Sequence, residues 1–213
     1  TIIDRAEIAG SGASFANGAQ LSYIYTDALA SNSLLKRLPF LALGLDSSFR
    51  LRPSLDPSQI AWFMRFIRNC TRQRFLKNSL EGLQLGLESQ LAMRALLEKH
   101  MIEFGHQSAG KMLVYDDTAA FKSACDMVSV RQSHGAAQEI LTPQEAINKE
   151  AALAERAGSF VGAVYSPQEE LGDPHEFCNA LLSQLVTAYG VQVRMATDVE
   201  SWKADKDTAI VLT

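Results

Sequence analysis

An acid and two glycines near the start of the chain are the residues whose types and spacing could bind a nucleotide. Asp4 follows the apolar run Thr1-Ile2-Ile3, and the small-residue stretch Gly10-Ser11-Gly12-Ala13-Ser14 comes soon after. Glycines let backbone N–H groups approach a diphosphate at the start of a helix. However, the third glycine of a G-x-G-x-x-G motif would fall at Phe15, and the acid precedes the stretch instead of following it. The stretch is therefore not predicted to be a dinucleotide glycine loop.

Asp4 itself has two interpretations. An acid that ends the second strand of a dinucleotide-binding fold accepts hydrogen bonds from the adenosine ribose, about 20 residues after the glycine loop. If Asp4 has that role, the glycine loop would precede Thr1. Taken alone, Asp4 is better explained as a solvated acid at the end of a strand.

Other residue types that catalyse reactions or bind metals show no usable spacing. No pair of histidines has the H-x-x-x-H spacing of a metal site, and no Ser/His/Asp order can be asserted. We therefore predict no metal site and assign no catalytic residue, and we expect all four histidines at the surface or at helix ends: His100, His106, His134 and His175. The three widely spaced cysteines favour a reduced, cytosolic setting over a disulfide framework.

Composition excludes several classes of protein. The 213 residues are 47% hydrophobic and 21% charged, as in an ordinary globular protein of one large domain or two small ones. The net charge of -4 and the scattered basic residues argue against a nucleic-acid partner. No apolar run approaches the roughly 20 residues that span a bilayer, and the start of the chain lacks the layout of a signal peptide.

Capping residues and hydrophobic periodicity predict alternating strands and helices. Helix starts are expected at Asp56-Pro57, at Asp116 or Asp117, at Thr142-Pro143 with Glu145 completing a capping box, and at Asp173-Pro174. The first of these helices should end at about Asn69, the second at Gly135, the third soon after Glu145, and the fourth at Tyr189, just before Gly190. A further helix should cover 71–100. Strands are predicted at 1–4, 111–115, 160–165, 191–195 and 208–212. The mixture indicates an α/β or α+β protein with helices inserted between parts of a sheet.

Burial can be predicted for several apolar positions. The helix from Pro57 should pack by one face, through Ile60, Phe63, Met64 and Ile67. Trp62, Trp202 and the phenylalanines are expected in the core, and a short buried segment interrupted by Pro39 is expected at Leu34, Leu35, Leu38, Leu41 and Leu43. A solvated helix face is favoured over a membrane or partner patch for Arg65, Arg68, Arg72 and Arg74. The two helices in series, 57–69 and 71–100, should form a cap-like insert.

Three landmarks carry a family resemblance: Asp4-Arg5, the run from Ser14-Phe15-Ala16-Asn17-Gly18-Ala19-Gln20 to Ser22, and Phe66-Ile67-Arg68-Asn69-Cys70. In order and spacing they resemble the D-amino acid dehydrogenases, within the glycine oxidase and sarcosine oxidase superfamily. Gly172-Asp173, Phe177, Gly190-Val191 and Val199 resemble the family's return into its FAD-binding domain. Two departures concern the substrate more than the cofactor: Asn17-Gly18-Ala19 replaces the usual Asn-Ala-Gly order, and Tyr23-Ile24-Tyr25-Thr26 replaces a proline-rich segment.

The resemblance implies FAD as the cofactor and assigns roles to residues. Asp4 would hold the adenosine ribose with Arg5 beside it, and Val199 would present its backbone to the adenine. The loop near the flavin ring and ribityl chain would contribute Ser14, Ala16, Asn17, Gly18 and Gln20. The glycine loop is expected before Thr1, and the groups that clamp the substrate are expected after Thr213, so the 213 residues alone should be inactive.

The resemblance also implies a fold and a domain organisation. We expect a mixed α/β (α+β) fold, with a partial Rossmann-like FAD-binding domain and an inserted substrate domain of helices and strands. Residues 1–50 and 171–213 would belong to the FAD-binding domain, and residues 51–170 to the substrate side. Strand 1–4 is expected to lie parallel to strand 208–212, because both are short and apolar, as buried Rossmann strands are.

The implied activity is the FAD-dependent oxidation of D-amino acids to 2-oxo acids and ammonia. The expected partners are an amino acid substrate and a quinone that accepts electrons, with the enzyme in the cytoplasm or peripheral at the inner face of the cytoplasmic membrane. Two alternatives stay open: a glycine- or sarcosine-type amine oxidase, and a non-enzymatic α/β ligand-binding or interaction module whose 14–20 loop matches by chance.

Overall fold

A computed structural model describes residues 1–42, 44, 56–205 and 208–212 of the chain. The helices are α1 (Asn32–Ala42), α2 (Pro57–Asn69), α3 (Arg72–Lys99), α4 (Thr118–Gln132), α5 (Pro143–Lys149) and α6 (Pro174–Tyr189), with a 3₁₀ turn at Ala151–Arg156. The strands are β1 (Ile2–Ile3), β2 (Gln20–Leu21), β3 (Lys111–Tyr115), β4 (Glu139–Leu141), β5 (Gly162–Ser166), β6 (Glu170–Leu171), β7 (Val193–Arg194), β8 (Ser201–Asp205) and β9 (Thr208–Leu212). The predicted mixture of helices and strands is confirmed.

The chain divides into two compact units. The first unit consists of Thr1–Leu21, Leu91–Leu113 and Tyr165–Thr213. The second unit consists of Ser22–Gln90 and Val114–Val164. The predicted domains 1–50, 51–170 and 171–213 are defined by function, whereas the two units are defined by compactness. The units therefore do not test the domains, which stay a prediction.

Short strand pairs organise the first unit. β1 runs parallel to β7, with Ile2 opposite Val193 and Ile3 opposite Arg194. β2 runs antiparallel to β6, with Gln20 opposite Leu171. A parallel pair needs a long connection, and here the connection includes the whole chain between β1 and β7. The first unit therefore pairs residues 2–3 with residues 193–194, which are distant in the sequence.

The predicted pairing of strand 1–4 with strand 208–212 is wrong. β9 pairs antiparallel with β8, from Ser201 opposite Leu212 to Asp205 opposite Thr208. The strands are neighbours in sequence, and closing a short hairpin costs much less conformational entropy than closing a loop of some 200 residues. The parallel partner of β1 is β7, which was also predicted as a strand.

The second unit has a core of apolar side chains around α3. Ile24, Leu83 and Ala136 are buried together, and the partly buried Leu80 and Leu87 pack against them. Leu80, Leu83 and Leu87 lie at three- and four-residue spacing, so they share one face of the helix. The predicted long helix in this part of the chain is confirmed as α3.

Helix starts follow the predicted caps. The Asp56 carboxylate accepts from the Ser58 amide at α2, and the Asp117 carboxylate accepts from the Ala120 amide at α4. At α5, Thr142 and Glu145 form the complete capping box. α6 begins after Asp173 and ends at Gly190, which has a φ of 64°. Each cap satisfies amide or carbonyl groups that the helix itself leaves unpaired.

The predicted packing of α2 is only partly right. Phe63, Phe66 and Ile67 are half-buried, whereas the side chains of Ile60 and Met64 are 48% and 50% exposed. At 100° per residue, the first three residues form a narrower stripe that leaves Ile60 and Met64 at its edge. The apolar face of the helix is therefore wider than the part that is covered.

The prediction that the tryptophans and phenylalanines belong to the core is wrong for both tryptophans, and also for Phe15 and Phe40, which are 63% and 58% exposed. Trp62 is 59% exposed and Trp202 is 70% exposed. Trp62 stacks on Phe66, one helical turn away, with ring centroids 5.4 Å apart. It is therefore covered by its own helix on one side only. Trp202 lies in the β8–β9 hairpin, and a two-stranded hairpin has too little area to bury so large a ring.

The leucine-rich segment forms a helix that continues through Pro39. α1 extends to Ala42, with Leu41 buried and Leu34, Leu35 and Leu38 half-buried. Leu43 lies outside the described residues.

Within the described ranges, no helix is both long and apolar enough to cross a membrane.

Candidate functional site

Asp4 lies at the carboxyl end of β1, where a parallel strand leads into a loop. Its amide donates to the Arg194 carbonyl at 3.0 Å, which extends the pairing with β7 by one residue. Its Oδ1 accepts from the Ala6 amide at 2.8 Å, which turns the chain away from the strand. The side chains of Asp4 and Arg5 are exposed. A ligand at the end of this strand can therefore reach the carboxylate.

The segment after β7 lies directly beside Asp4. The Thr197 amide donates to the Asp4 carbonyl at 2.9 Å, and the Ala196 amide donates to the Ala6 carbonyl at 2.9 Å. Ala196 has a φ of 52°, an uncommon conformation for a residue with a side chain. Val199 follows two residues beyond Thr197 and is 47% exposed. The structure thus brings Asp4, Arg5 and the segment leading to Val199 to the carboxyl ends of two parallel strands.

The loop from Ser14 to Gln20 lies in the same unit. Asn17 Oδ1 accepts from the Ala19 amide at 2.8 Å, and Ala19 has a φ of 53°. Ser14 is half-buried, whereas the other predicted cofactor residues of the loop are exposed: Ala16, Asn17, Gly18 and Gln20. A Cβ added at Gly18 would meet nothing within 4 Å. The loop therefore presents accessible backbone and side chains, with space for a ligand beside it.

The loop ends on the segment that precedes α6. The Gly172 amide donates to the Ala19 carbonyl at 3.0 Å, next to the β2–β6 pair. A Cβ at Gly172 would lie 2.4 Å from the Phe104 ring, so this position accommodates only glycine. The landmark Gly172-Asp173 thus has a local physical reason: Gly172 permits close packing under the loop, and Asp173 caps α6.

A buried carboxylate near this segment was not found from the sequence. Glu170 is only 5% exposed, and its two oxygens lie 3.4 Å from Arg94 Nη2 and 3.0 Å from His106 Nε2. The expectation that His106 is a surface or helix-end residue is wrong, because its ring is half-buried against Glu170 and stacks on Phe104. These partners are 64 to 76 residues apart in sequence, so no local pattern could indicate them.

The other histidines have simpler surroundings. His134 is exposed at the end of α4, where its Nδ1 lies 2.9 Å from the Val130 carbonyl. His100 follows α3 and its Nε2 lies 3.2 Å from the Tyr189 hydroxyl. His175 lies in the first turn of α6. The positions of these three residues agree with helix ends, as expected.

The residues at the end of β1 fit the adenosine end of a dinucleotide. An exposed acid at the carboxyl end of a parallel strand can accept hydrogen bonds from the two hydroxyls of a ribose. The neighbouring segment to Val199 offers backbone next to that acid. These hydrogen-bond donors and acceptors suit the adenosine part of FAD. The exposed 14–20 loop provides further polar backbone groups.

Comparison with known proteins agrees with this fit. A sequence profile of the family described as FAD dependent oxidoreductase matches residues 1–213. D-amino acid dehydrogenase 2 of Ralstonia nicotianae is 39% identical over 202 residues, which cover 94% of this chain and 48% of that protein. The chain spans about half the length of the curated relatives it matches.

Solved structures share the fold. A glycine oxidase from Geobacillus kaustophilus superposes with a TM-score of 0.62 at 19% identity, over 99% of this chain and 43% of that one. An L-alpha-glycerophosphate oxidase from Mycoplasma pneumoniae with FAD bound has a TM-score of 0.55 at 14% identity, over 98% of this chain and 41% of that one. With the family profile matching from the first residue to the last, the chain belongs to the FAD-dependent oxidoreductases.

Proposed function

We propose that the complete protein uses FAD to convert D-amino acids to 2-oxo acids and ammonia. The support is the 39% identity with a protein named D-amino acid dehydrogenase 2, together with the family match. Bound FAD would supply the hydride-accepting chemistry at the carbon that carries the amine, and water would then hydrolyse the resulting imine. A match of the family profile over residues 1–213 argues against the chance resemblance that a non-enzymatic module would require.

The structural observation that supports FAD binding is that Asp4, Arg5 and the segment leading to Val199 lie together at the end of β1. In the proposal, the Asp4 carboxylate accepts hydrogen bonds from the ribose, with Arg5 beside it. Val199 presents its backbone to the adenine, on a segment that is hydrogen bonded to the Asp4 carbonyl through Thr197. These groups hold the adenosine end and do not touch the reacting carbon.

The 14–20 loop has a separate proposed role. Its residues, Ser14, Ala16, Asn17, Gly18 and Gln20, lie near the flavin ring and the ribityl chain and orient them. Space beside Gly18 and the exposure of the other loop residues support this role. In the same proposal, residues 1–50 and 171–213 belong to the FAD-binding domain, and residues 51–170 form the substrate side.

We also propose that electrons leave to a quinone and that the protein binds the inner face of the cytoplasmic membrane peripherally. The sequence favours a solvated face for Arg65 and Arg68, but α2 also exposes Trp62 and Met64, by 59% and 50%, next to them. This is the surface that we propose for the membrane contact. No acidic residue occurs in the sequence between Asp56 and Glu81. At 100° per residue, Trp62 and Met64 lie on opposite sides of α2 with Arg65 and Arg68 between them. In the proposal, the two basic side chains therefore meet the anionic headgroups, and the two apolar side chains flank them.

The activity can be tested by anaerobic reduction of the flavin in the purified complete protein. Addition of D-amino acids should bleach the visible flavin band, and the matching L-amino acids should leave it unchanged. Glycine and sarcosine serve as the comparison for the amine oxidase alternative. Bleaching by glycine or sarcosine without bleaching by any D-amino acid would replace the proposed substrate class with that alternative.

A further inference from the structure

Two side chains of α6 hold the backbone that enters the proposed flavin loop. His175 Nδ1 lies 3.1 Å from the Gly10 carbonyl oxygen, and Asn179 Nδ2 lies 3.3 Å from the Ala9 carbonyl oxygen. A carbonyl oxygen only accepts hydrogen bonds, so the proton of the neutral His175 ring must be on Nδ1. The His175 and Asn179 side chains are half-buried. The bonds join residues 165 and 170 positions apart in sequence.

The backbone at Gly10, which leads into the 14–20 loop, approaches α6 unusually closely. A Cβ built on Gly10 would lie 3.0 Å from the Cys178 Cβ and 3.2 Å from His175 Nδ1. Gly10 also has a φ of 69°, which favours glycine. The Phe15 ring meets the His175 ring edge-on, with centroids 5.2 Å apart. α6 therefore contacts this stretch at both Gly10 and Phe15.

The far end of the loop is fixed to the same part of the chain. The Ala19 carbonyl accepts from the Gly172 amide at 3.0 Å, and Gln20 pairs with Leu171 between β2 and β6. The stretch from Ala9 to Gln20 is thus held at its front by α6 and at its back by the residues just before α6. A loop fixed at both ends loses less conformational entropy when a ligand binds.

We propose that His175 is a positioning residue for FAD: its hydrogen bond to Gly10 and its contact with Phe15 fix the loop that orients the flavin. Asn179 acts in the same way through Ala9, one turn further along α6. The proposal rests on the proposed function, because it requires the 14–20 loop to contact the flavin. In this proposal, His175 itself touches neither the flavin nor the substrate.

The experiment compares variants of the complete protein by titrating the apoprotein with FAD. His175→Leu removes the donor, and His175→Asn retains an N–H at a similar position. Loss of one such hydrogen bond should weaken FAD binding about three- to tenfold in His175→Leu, with most of the affinity recovered in His175→Asn. The visible circular dichroism of the bound flavin should change in His175→Leu and return in His175→Asn. A purely structural role would lower the melting temperature of the apoprotein without this spectral change.

His134→Leu is the matched control, because His134 also places Nδ1 against a backbone carbonyl, at 2.9 Å, but belongs to the second unit. It should leave the FAD affinity and the flavin spectrum unchanged. Asn179→Ala repeats the test at Ala9, so the proposal is decided even if His175→Leu does not fold.

The outcomes separate this inference from the proposed function. If the wild-type apoprotein binds FAD and Asp4→Ala weakens binding, but the His175 and Asn179 variants match wild type in affinity and spectrum, the positioning role is overturned alone. If the wild-type protein does not bind FAD, the proposed function fails and the positioning role fails with it.

Discussion

Asp4 has two tasks that its carboxylate performs together. Oδ1 accepts from the Ala6 amide and so shapes the turn after β1. The exposed side chain is also available to the ribose in the proposed site. Its backbone carbonyl meanwhile fixes the neighbouring segment through Thr197. A single residue thus links the end of the strand, the turn and the proposed nucleotide contact.

Asp4→Ala should weaken FAD binding by the complete protein about ten- to a hundredfold and leave its preference among amino acids unchanged. The reason is that a hydrogen bond to a charged group contributes roughly 1.5–3 kcal/mol, and the ribose is remote from the reacting carbon. Titration of the apoprotein with FAD measures the affinity. Glu7→Ala removes another exposed acid nearby and is the control. Equal affinity of Asp4→Ala and wild type would remove Asp4 from the site.

Cys70 should be the slowest of the three described cysteines to react with an alkylating reagent. The thiol is 3% exposed and donates to the Phe66 carbonyl, and burial raises its pKa because the thiolate loses solvation. Only the thiolate reacts, so the rate should rise with pH and reach its midpoint above the ordinary value for a thiol. Pulsed alkylation followed by peptide mass spectrometry measures each site. Labelling of Cys70 as fast as that of the half-buried Cys125 and Cys178 would contradict its burial.

At the scale of elements, α3 is placed by two glycines that face the segment from Tyr23 to Thr26. A Cβ at Gly86 would lie 2.1 Å from the Tyr23 carbonyl oxygen, and a Cβ at Gly82 would lie 3.1 Å from the Thr26 carbonyl oxygen. The close approach lets Ile24 pack beside Leu83 in the core of the second unit. Glycine inside this helix is therefore a packing requirement.

Gly86→Ala should lower the stability of the protein, although alanine is the better helix former. The gain in helix propensity is about 1 kcal/mol. Forcing an atom against a backbone carbonyl in a packed core costs about 1–3 kcal/mol or more, and the backbone cannot rotate away as a side chain can. The melting temperature should therefore fall. Gly12→Ala is the control, since a Cβ there meets nothing within 4 Å. A Gly86→Ala variant that melts at or above the wild-type temperature would show that the approach is looser than described.

Elements that depend on neighbouring residues were predictable from the sequence. The caps at Asp56, Thr142 and Asp173 act within three residues, so the helix starts could be located. Strand partners depend on the whole fold, and the pairing of β1 was predicted with the wrong strand. The exposure of Trp62 and Trp202 was missed for the same reason, because periodicity gives the apolar face of an element but not what covers it.

For the candidate site too, residues with a local sequence signal were predictable and residues that depend on the fold were not. Asp4 and the 14–20 loop could be named because the family resemblance lies in contiguous residues. The bonds from His175 to Gly10 and from Glu170 to His106 join distant parts of the chain, and nothing in the local sequence indicates them. Supporting residues of this kind become visible only when the fold is known.

At the scale of the whole molecule, the proposed membrane contact of α2 predicts binding to anionic vesicles. The complete protein should float with phosphatidylglycerol vesicles and less with phosphatidylcholine vesicles, and high salt should weaken binding. Reversing Arg65 and Arg68 to Glu should reduce binding on the order of tenfold or more, since each basic residue near the surface contributes about 1 kcal/mol. Reversing Lys122 and Lys149, on α4 and α5, is the control. Unchanged flotation of the Arg65→Glu/Arg68→Glu protein would remove α2 from the membrane contact.

In the proposed site, the carboxyl end of β1 holds the adenosine of FAD in the complete protein. A crystal structure of that protein with FAD measures this directly. We expect the ribose hydroxyls within hydrogen-bond distance of the Asp4 carboxylate, with the adenine against the backbone at Val199 and the flavin near the 14–20 loop. A structure in which the ribose contacts neither Asp4 nor the segment to Val199 would show that the adenosine binds elsewhere.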